Sequence, residues 1–189
     1  FAQKTGIDLP GEQMGFLPSK EWKQNEKNER WYVGDTYNLS IGQGDILVTP
    51  IQLANYTVAL ANSGTLYKPH LVKSIIDPVS KEQQDVNSEI INADFVDEEY
   101  INTIRLGMKD CVDYGSCRRL SLLPFSSAGK TGTAQWNKNK DDHAWFTSFA
   151  PFYNPEIVVT ILVEEGIGGS DTAAPIAYEF YNWWWEYKH

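Results

Sequence analysis

The sequence predicts an α+β domain in which an antiparallel sheet is flanked by helices. Three observations predict it. Late in the chain stand three β-type runs, Gly129 to Trp136, Ala144 to Ala150 and Ile157 to Glu164, joined by short turn-forming linkers. Two capped helical segments precede them. A glycine-rich break and one aromatic helix follow. At 189 residues the chain is long enough to bury a single core.

The elements follow in order. The first 45 residues are rich in Gly, Pro, Asn and charge, with isolated Trp22 and Trp31, and read as an ordered loop region. Thr49 is a good N-cap, Pro50 suits the first helical position, and Gln52 completes a capping box. A helix is therefore predicted from Pro50 to about Asn62, closed by Gly64, with Ile51, Leu53, Ala54, Val58 and Ala61 on its buried face. Leu66 to Ile76 is β-rich with Pro69 inside it, which suggests an edge strand or extended arm. Asp77 to Asn92 is polar and turn-like. A second helix starts near Asp97, carries Ile101, Ile104, Met108, Cys111 and Val112 at helical spacing, and ends at Gly115.

The linkers between the three β-type runs are short enough for consecutive antiparallel strands, which gives a meander. The run I-V-V-T-I-L-V is apolar nearly throughout, so a central strand with both faces covered is expected there. After Gly166, Gly168 and Gly169 a last helix begins near Ser170 or Asp171. Its stripe Ile176, Phe180, Trp183, Trp184 and Tyr187 is expected to lie flat on the sheet.

Composition excludes some functions. A formal net charge of −9, spread along the chain, argues against DNA or RNA partners, which require clustered Lys and Arg. No run of 18 apolar residues and no signal-peptide zones occur, and a chain that opens at Phe1 in a Gly/Pro-rich turn reads as an excised segment. Cys111 and Cys117 have no zinc-ligand neighbours and read as two small apolar residues, with a disulfide as the alternative in an oxidising compartment. His70, His143 and His189 are scattered and read as structural or surface residues. No cofactor or metal is called for.

The sharpest signal is A-G-K-T-G-T-A-Q, Ala128 to Gln135. On the edge strand of an active site, Lys130 places a fixed positive charge beside a substrate carboxylate. Thr131 and Thr133 share one face by strand alternation and offer hydroxyls to that carboxylate. Gly132 leaves room for an acyl-peptide alongside the strand, and the Thr133 N–H is a candidate oxyanion donor. Ser127-Ala128-Gly129-Lys130 also spells S-x-x-K, a nucleophile motif that works when Ser and Lys share one face of a helix. Here a glycine and an onward strand follow, so Ser127 reads as a strand-approach residue. No S-x-N triplet occurs in the 189 residues.

K-T-G, S-x-x-K and S-x-N together mark serine penicillin-recognising enzymes. With K-T-G-T-A-Q, the stretches Thr5 to Glu12, Trp31 to Gly44, Thr49 to Ala54, Ala61 to Lys73 and His143 to Pro151 resemble class B penicillin-binding proteins along the whole chain. The G-D-T-Y-N-L-S-I-G-Q-G form is similar to the elongation-type penicillin-binding protein 2. The resemblance implies that residues 1–189 are the C-terminal part of a transpeptidase (penicillin-binding) domain, with S-x-x-K and S-x-N upstream. It implies D,D-transpeptidation of peptidoglycan stem peptides through a serine acyl-enzyme, and acylation by β-lactams. It further implies an anchored parent outside the cytoplasmic membrane, with a membrane glycosyltransferase and elongation-complex proteins as partners. Only Lys130, Thr131, Gly132 and Thr133 carry over as site residues, while Ile41 to Gly44 and Thr49-Pro50 belong to the scaffold nearby. A β-lactamase or D,D-carboxypeptidase, and a non-catalytic module of a wall-synthesis complex, are the alternatives.

Overall fold

The computed structural model describes residues 1–93 and 96–188. Its centre is an antiparallel three-stranded sheet, β5 (Ala128–Ala134), β6 (His143–Ala150) and β7 (Ile157–Val163), in the order β5-β6-β7. The meander is as predicted, but its centre is β6. β7 has a strand partner on one side only among the described residues. Its apolar run has another cause: side chains on both its faces are partly buried, Val158 against one core cluster and Val159, Ile161 and Val163 against the other. Hydropathy reports covered faces and is silent about strand neighbours.

The two clusters lie on opposite faces of the sheet. One joins Ala144, Phe146 and Ala150 to Leu120, Ala177 and Tyr181; the other joins Ala128 and Phe149 to Leu60, Ile101 and Met108. Helix α3 (Pro50–Ala61) packs on β6 and β7. Its N-terminus is the predicted capping box: Thr49 Oγ1 accepts from Gln52 N, and Gln52 Oε1 accepts from Thr49 N. Gln52 Nε2 also donates to the Gln3 and Met14 carbonyls, tying the first residues to this helix. A buried hydroxyl chain, Thr57 to Thr147 to Thr160 at 2.8 Å per step, stitches α3 to β6 and β7.

Helix α4 (Glu98–Asp113) runs past β5, with Ile101, Met108 and Val112 buried as predicted and Ile104 more than a third exposed. The chain then turns at Gly115, where a Cβ would lie 2.9 Å from Cys111 Cα. It returns so tightly that Cys117 N donates to Cys111 O at 2.9 Å. Cys111 and Cys117 are therefore disulfide-bonded, with Cα atoms 5.1 Å apart, and the reading of two unlinked apolar residues is corrected.

The closing helix, α5 (Ala174–Lys188), follows a π-helical turn at Gly169–Ala173 and lies on the sheet with a different face from the one predicted. Ala174, Ala177 and Tyr181 are buried, and Ile176, Phe180, Trp183 and Tyr187 are exposed. Of the predicted stripe only Trp184, partly buried, packs against the core. Small alanines let the helix backbone approach, so that the Tyr181 hydroxyl reaches Ser148 Oγ at 3.0 Å. Burial pushes the Tyr181 phenol pKa well up.

Two expectations, a loop region at the start and a turn-like stretch from Asp77 to Asn92, are overturned, and the edge strand expected at Leu66 to Ile76 is divided in two. The opening region contains α1 (Lys20–Lys27) and α2 (Val33–Ser40), which charge rather than an apolar face holds together. Lys23 Nζ meets both Asp35 oxygens at 2.8 and 2.7 Å, and Lys27 meets Asp45 at 2.7 Å. The Leu66–Ile76 run is two short strands, β1 (Leu66–Lys68) and β2 (Ser74–Ile76). The polar stretch after it supplies their partners: β3 (Gln83–Asp85) pairs with β2, and β4 (Glu89–Asn92) pairs with β1. Among the described residues no helix is long and apolar enough to cross a membrane.

Candidate active site

Strand β5 enters the core and leaves it within seven residues. Ser127 and Ala128 are buried at its start, and among the described residues Ser127 Oγ finds no hydrogen-bond partner. Ser127 and Lys130 flank an extended backbone rather than a helical turn, and Lys130 Nζ donates instead to Thr131 O at 2.6 Å. This is the geometry of a strand-approach residue.

The register places the four candidate residues. Lys130 and Gly132 stand opposite Thr147 and Trp145; Thr131 and Thr133 stand opposite Phe146 and Ala144. The two threonines share a face of the strand, and the lysine starts from the other face. Only its length lets the Lys130 ammonium fold over the strand edge. Thr131 Oγ1 lies 2.6 Å from Ser116 Oγ on the loop after α4.

Both odd-numbered carbonyls are taken from outside the β5–β6 ladder, Thr131 O by Lys130 Nζ and Thr133 O by Gln43 Nε2 at 3.2 Å. In an antiparallel strand the N–H and C=O of one residue project to the same edge. The N–H groups of Thr131 and Thr133 therefore face the edge away from β6. That edge offers two backbone donors, two hydroxyls and one ammonium, a set suited to an extended peptide with an anionic end.

Three residues that complete this edge escaped sequence reasoning, or were given no role by it. Gln43 sits between Gly42 (φ 75°) and Gly44 (φ 87°), in a segment read as scaffold. A long amide between two glycines with positive φ is the signal that marks it. Gly169 backs the strand: a Cβ there would lie 2.3 Å from Trp145 O and 2.7 Å from Gly132 O. Gly132 has its own constraint, since a Cβ would lie 3.1 Å from Trp145 Cβ. Ser116 carries no sequence signal.

The histidines lie elsewhere. His143 Nδ1 accepts from Glu165 N at 3.0 Å and its ring stacks on Trp136; His70 bonds Val72 O; His189 lies outside the described residues. Among the described residues no cluster of three or more His, Cys, Asp or Glu could hold a metal ion. A hollow of about 700 Å³ between α1 and α2, lined by Gln24, Arg30, Trp31 and Tyr32 among others, includes no β5 residue.

Comparison with known proteins bears on this geometry. The family model of the penicillin binding protein transpeptidase domain matches residues 1–182. The peptidoglycan D,D-transpeptidase MrdA of Acinetobacter baumannii is 33% identical over 198 residues, covering 97% of this chain and 29% of that protein. Penicillin-binding protein 2 of Helicobacter pylori, solved in complex with MreC, superposes with a TM-score of 0.82 at 34% identity, over 100% of this chain and 34% of that one. Penicillin-binding protein 2 of Pseudomonas aeruginosa, solved in complex with WCK 5153, superposes with a TM-score of 0.78 at 36% identity, over 97% of this chain and 41% of that one. The chain thus spans about a third of the length of the curated relatives it matches.

Proposed function

The chain belongs to the family of penicillin-binding protein transpeptidase domains, and from that premise we propose that it is the C-terminal part of a serine-type peptidoglycan D,D-transpeptidase of the elongation type. The observation that carries the reading is the open edge of β5, where Lys130, Thr131 and Thr133 present a cation, two hydroxyls and two backbone N–H groups. A stem peptide would lie along this edge, with its terminal carboxylate at the Lys130 ammonium and the threonine hydroxyls. Its scissile carbonyl would lie at the Thr133 N–H, which stabilises the oxyanion formed on attack. Gly132, pressed flat between Trp145 and Gly169, keeps the strand clear of side chains there.

The nucleophile of this reaction is a serine whose proton a neighbouring lysine removes. Within the 189 residues, S-x-x-K occurs only at the buried Ser127 and S-x-N does not occur, so we assign both elements to a part of the protein outside this chain. On this reading the whole protein is acylated by β-lactams and works on the outer side of the cytoplasmic membrane. Its partners would be a membrane glycosyltransferase and elongation-complex proteins, among them a protein like MreC, the partner in the Helicobacter pylori complex.

The test is acylation of the full-length protein by a fluorescent penicillin. Lys130→Ala should slow it by at least about a hundredfold, the scale of one lost charge-assisted contact. Near-normal acylation of that variant would remove the assignment. The 189-residue chain by itself should gain no mass in the same incubation, and a stoichiometric adduct on Ser127 would overturn the view that the nucleophile lies elsewhere.

A further inference from the structure

Ser116, on the loop that closes α4, reaches the candidate site. Its Oγ lies 2.6 Å from Thr131 Oγ1 and 3.4 Å from Cys111 Sγ. Its neighbours hold it there. Gly115 is packed against the Cys111 backbone, and Cys117 is fully buried, bonded to Cys111 through both its sulfur and its N–H. We propose that Ser116 is a positioning residue for the substrate carboxylate, which acts by fixing the direction in which the Thr131 hydroxyl donates. This rests on the reading above that Thr131 meets a carboxylate.

Counting hydrogens shows why. A carboxylate only accepts, so Thr131 must turn its single O–H toward it. Thr131 Oγ1 can then bond Ser116 only as an acceptor, and Ser116 must be the donor. Ser116 is free to donate because its other neighbour, the disulfide sulfur of Cys111, carries no hydrogen and is a weak acceptor. The result is an aligned chain, Ser116 O–H to Thr131 O–H to carboxylate, in which each link polarises the next. Without an anion the reverse order is also open, with Thr131 donating to Ser116 and Ser116 to sulfur. A negative ligand selects the first arrangement.

The experiment uses the full-length protein and compares acylation by benzylpenicillin with acylation by its methyl ester, which lacks the carboxylate charge. Ser116→Ala should slow the acid by about threefold to tenfold, the loss of one hydrogen bond, and leave the ester rate and the melting temperature unchanged. Ser116→Thr should restore most of the acid rate. In a Thr131→Val background, Ser116→Ala should have no further effect, because the link it supports is already gone. An equal loss on acid and ester, no loss on the acid, or a full loss in the Thr131→Val background would each overturn the proposal. Equal acid and ester rates in the unsubstituted protein would instead remove the carboxylate reading itself, so the two failures are distinguishable.

Discussion

Gly169 offers the sharpest perturbation because the atoms around it cannot rotate away. A Cβ at this position would meet Trp145 O at 2.3 Å, Gly132 O at 2.7 Å and Gly132 N at 3.0 Å, all of them sheet backbone. Restoring ordinary contact to Trp145 O requires the π-helical turn and the sheet to part by about 1 Å, an overpacking that costs about 1–3 kcal/mol. The displaced strand residue is Gly132, whose neighbour Thr133 carries the candidate oxyanion donor. A misplacement of about 1 Å at such a group lowers rate by roughly a hundredfold. Gly169→Ala should therefore lower both the melting temperature and penicillin acylation of the full-length protein. Gly168→Ala is the matched control, since its Cβ would meet only the Asp171 carboxylate, at 3.6 Å. Thermal unfolding and stopped-flow acylation of both variants decide the matter. Indistinguishable behaviour of the two would refute the claim that Gly169 sets the strand's position.

Three other outcomes are expected. Tyr181→Phe removes the hydroxyl that bonds the fully buried Ser148, whose other contact, to Val159 O, is 3.5 Å long; a loss of about 1–3 kcal/mol should appear as a lower urea midpoint. Reducing the Cys111–Cys117 disulfide, which spans a sequence separation of 6, should cost about 2 kcal/mol by loop-closure entropy, and a melting temperature indifferent to a thiol reductant would contradict this. The Asp35 carboxyl is held below its ordinary value, first by the Lys23 ammonium and then by the Tyr32 N–H. A lowered folded pKa contributes stability above the ordinary aspartate value that is lost as pH falls through the depressed one. Asp35→Asn should therefore flatten the decline in stability below about pH 4, and an unchanged acid limb would show that the α1–α2 pair does not couple to folding.

Sequence reasoning succeeded where the signal is local. Thr49, Pro50 and Gln52 lie within four positions, and the cap they form needs only the backbone of its own helix. The K-T-G strand is legible for the same reason, since the alternation that puts Thr131 and Thr133 on one face is a property of any strand. The closing helix shows the opposite case. Its large aromatic residues lie on nearly every side, so a stripe can be drawn through the wrong ones. The sheet selected Ala174, Ala177 and Tyr181, because small residues allow close approach and one hydroxyl can pair with Ser148. Helices α1 and α2 went unread because ion pairs such as Lys23–Asp35, twelve residues apart, leave no apolar period.

By itself the sequence determined the α+β class, the three-strand meander, the capped helix before it and the strand on which the four proposed site residues stand. Tertiary structure alone decided that β6 is the central strand, that Cys111 bonds Cys117, and that Gln43, Ser116 and Gly169 converge on β5. The physical reason is range. Periodicity and capping arise from backbone geometry within a few residues, whereas the Gln43 contact to Thr133 O joins positions 90 residues apart and exists only once both segments have packed on the same sheet.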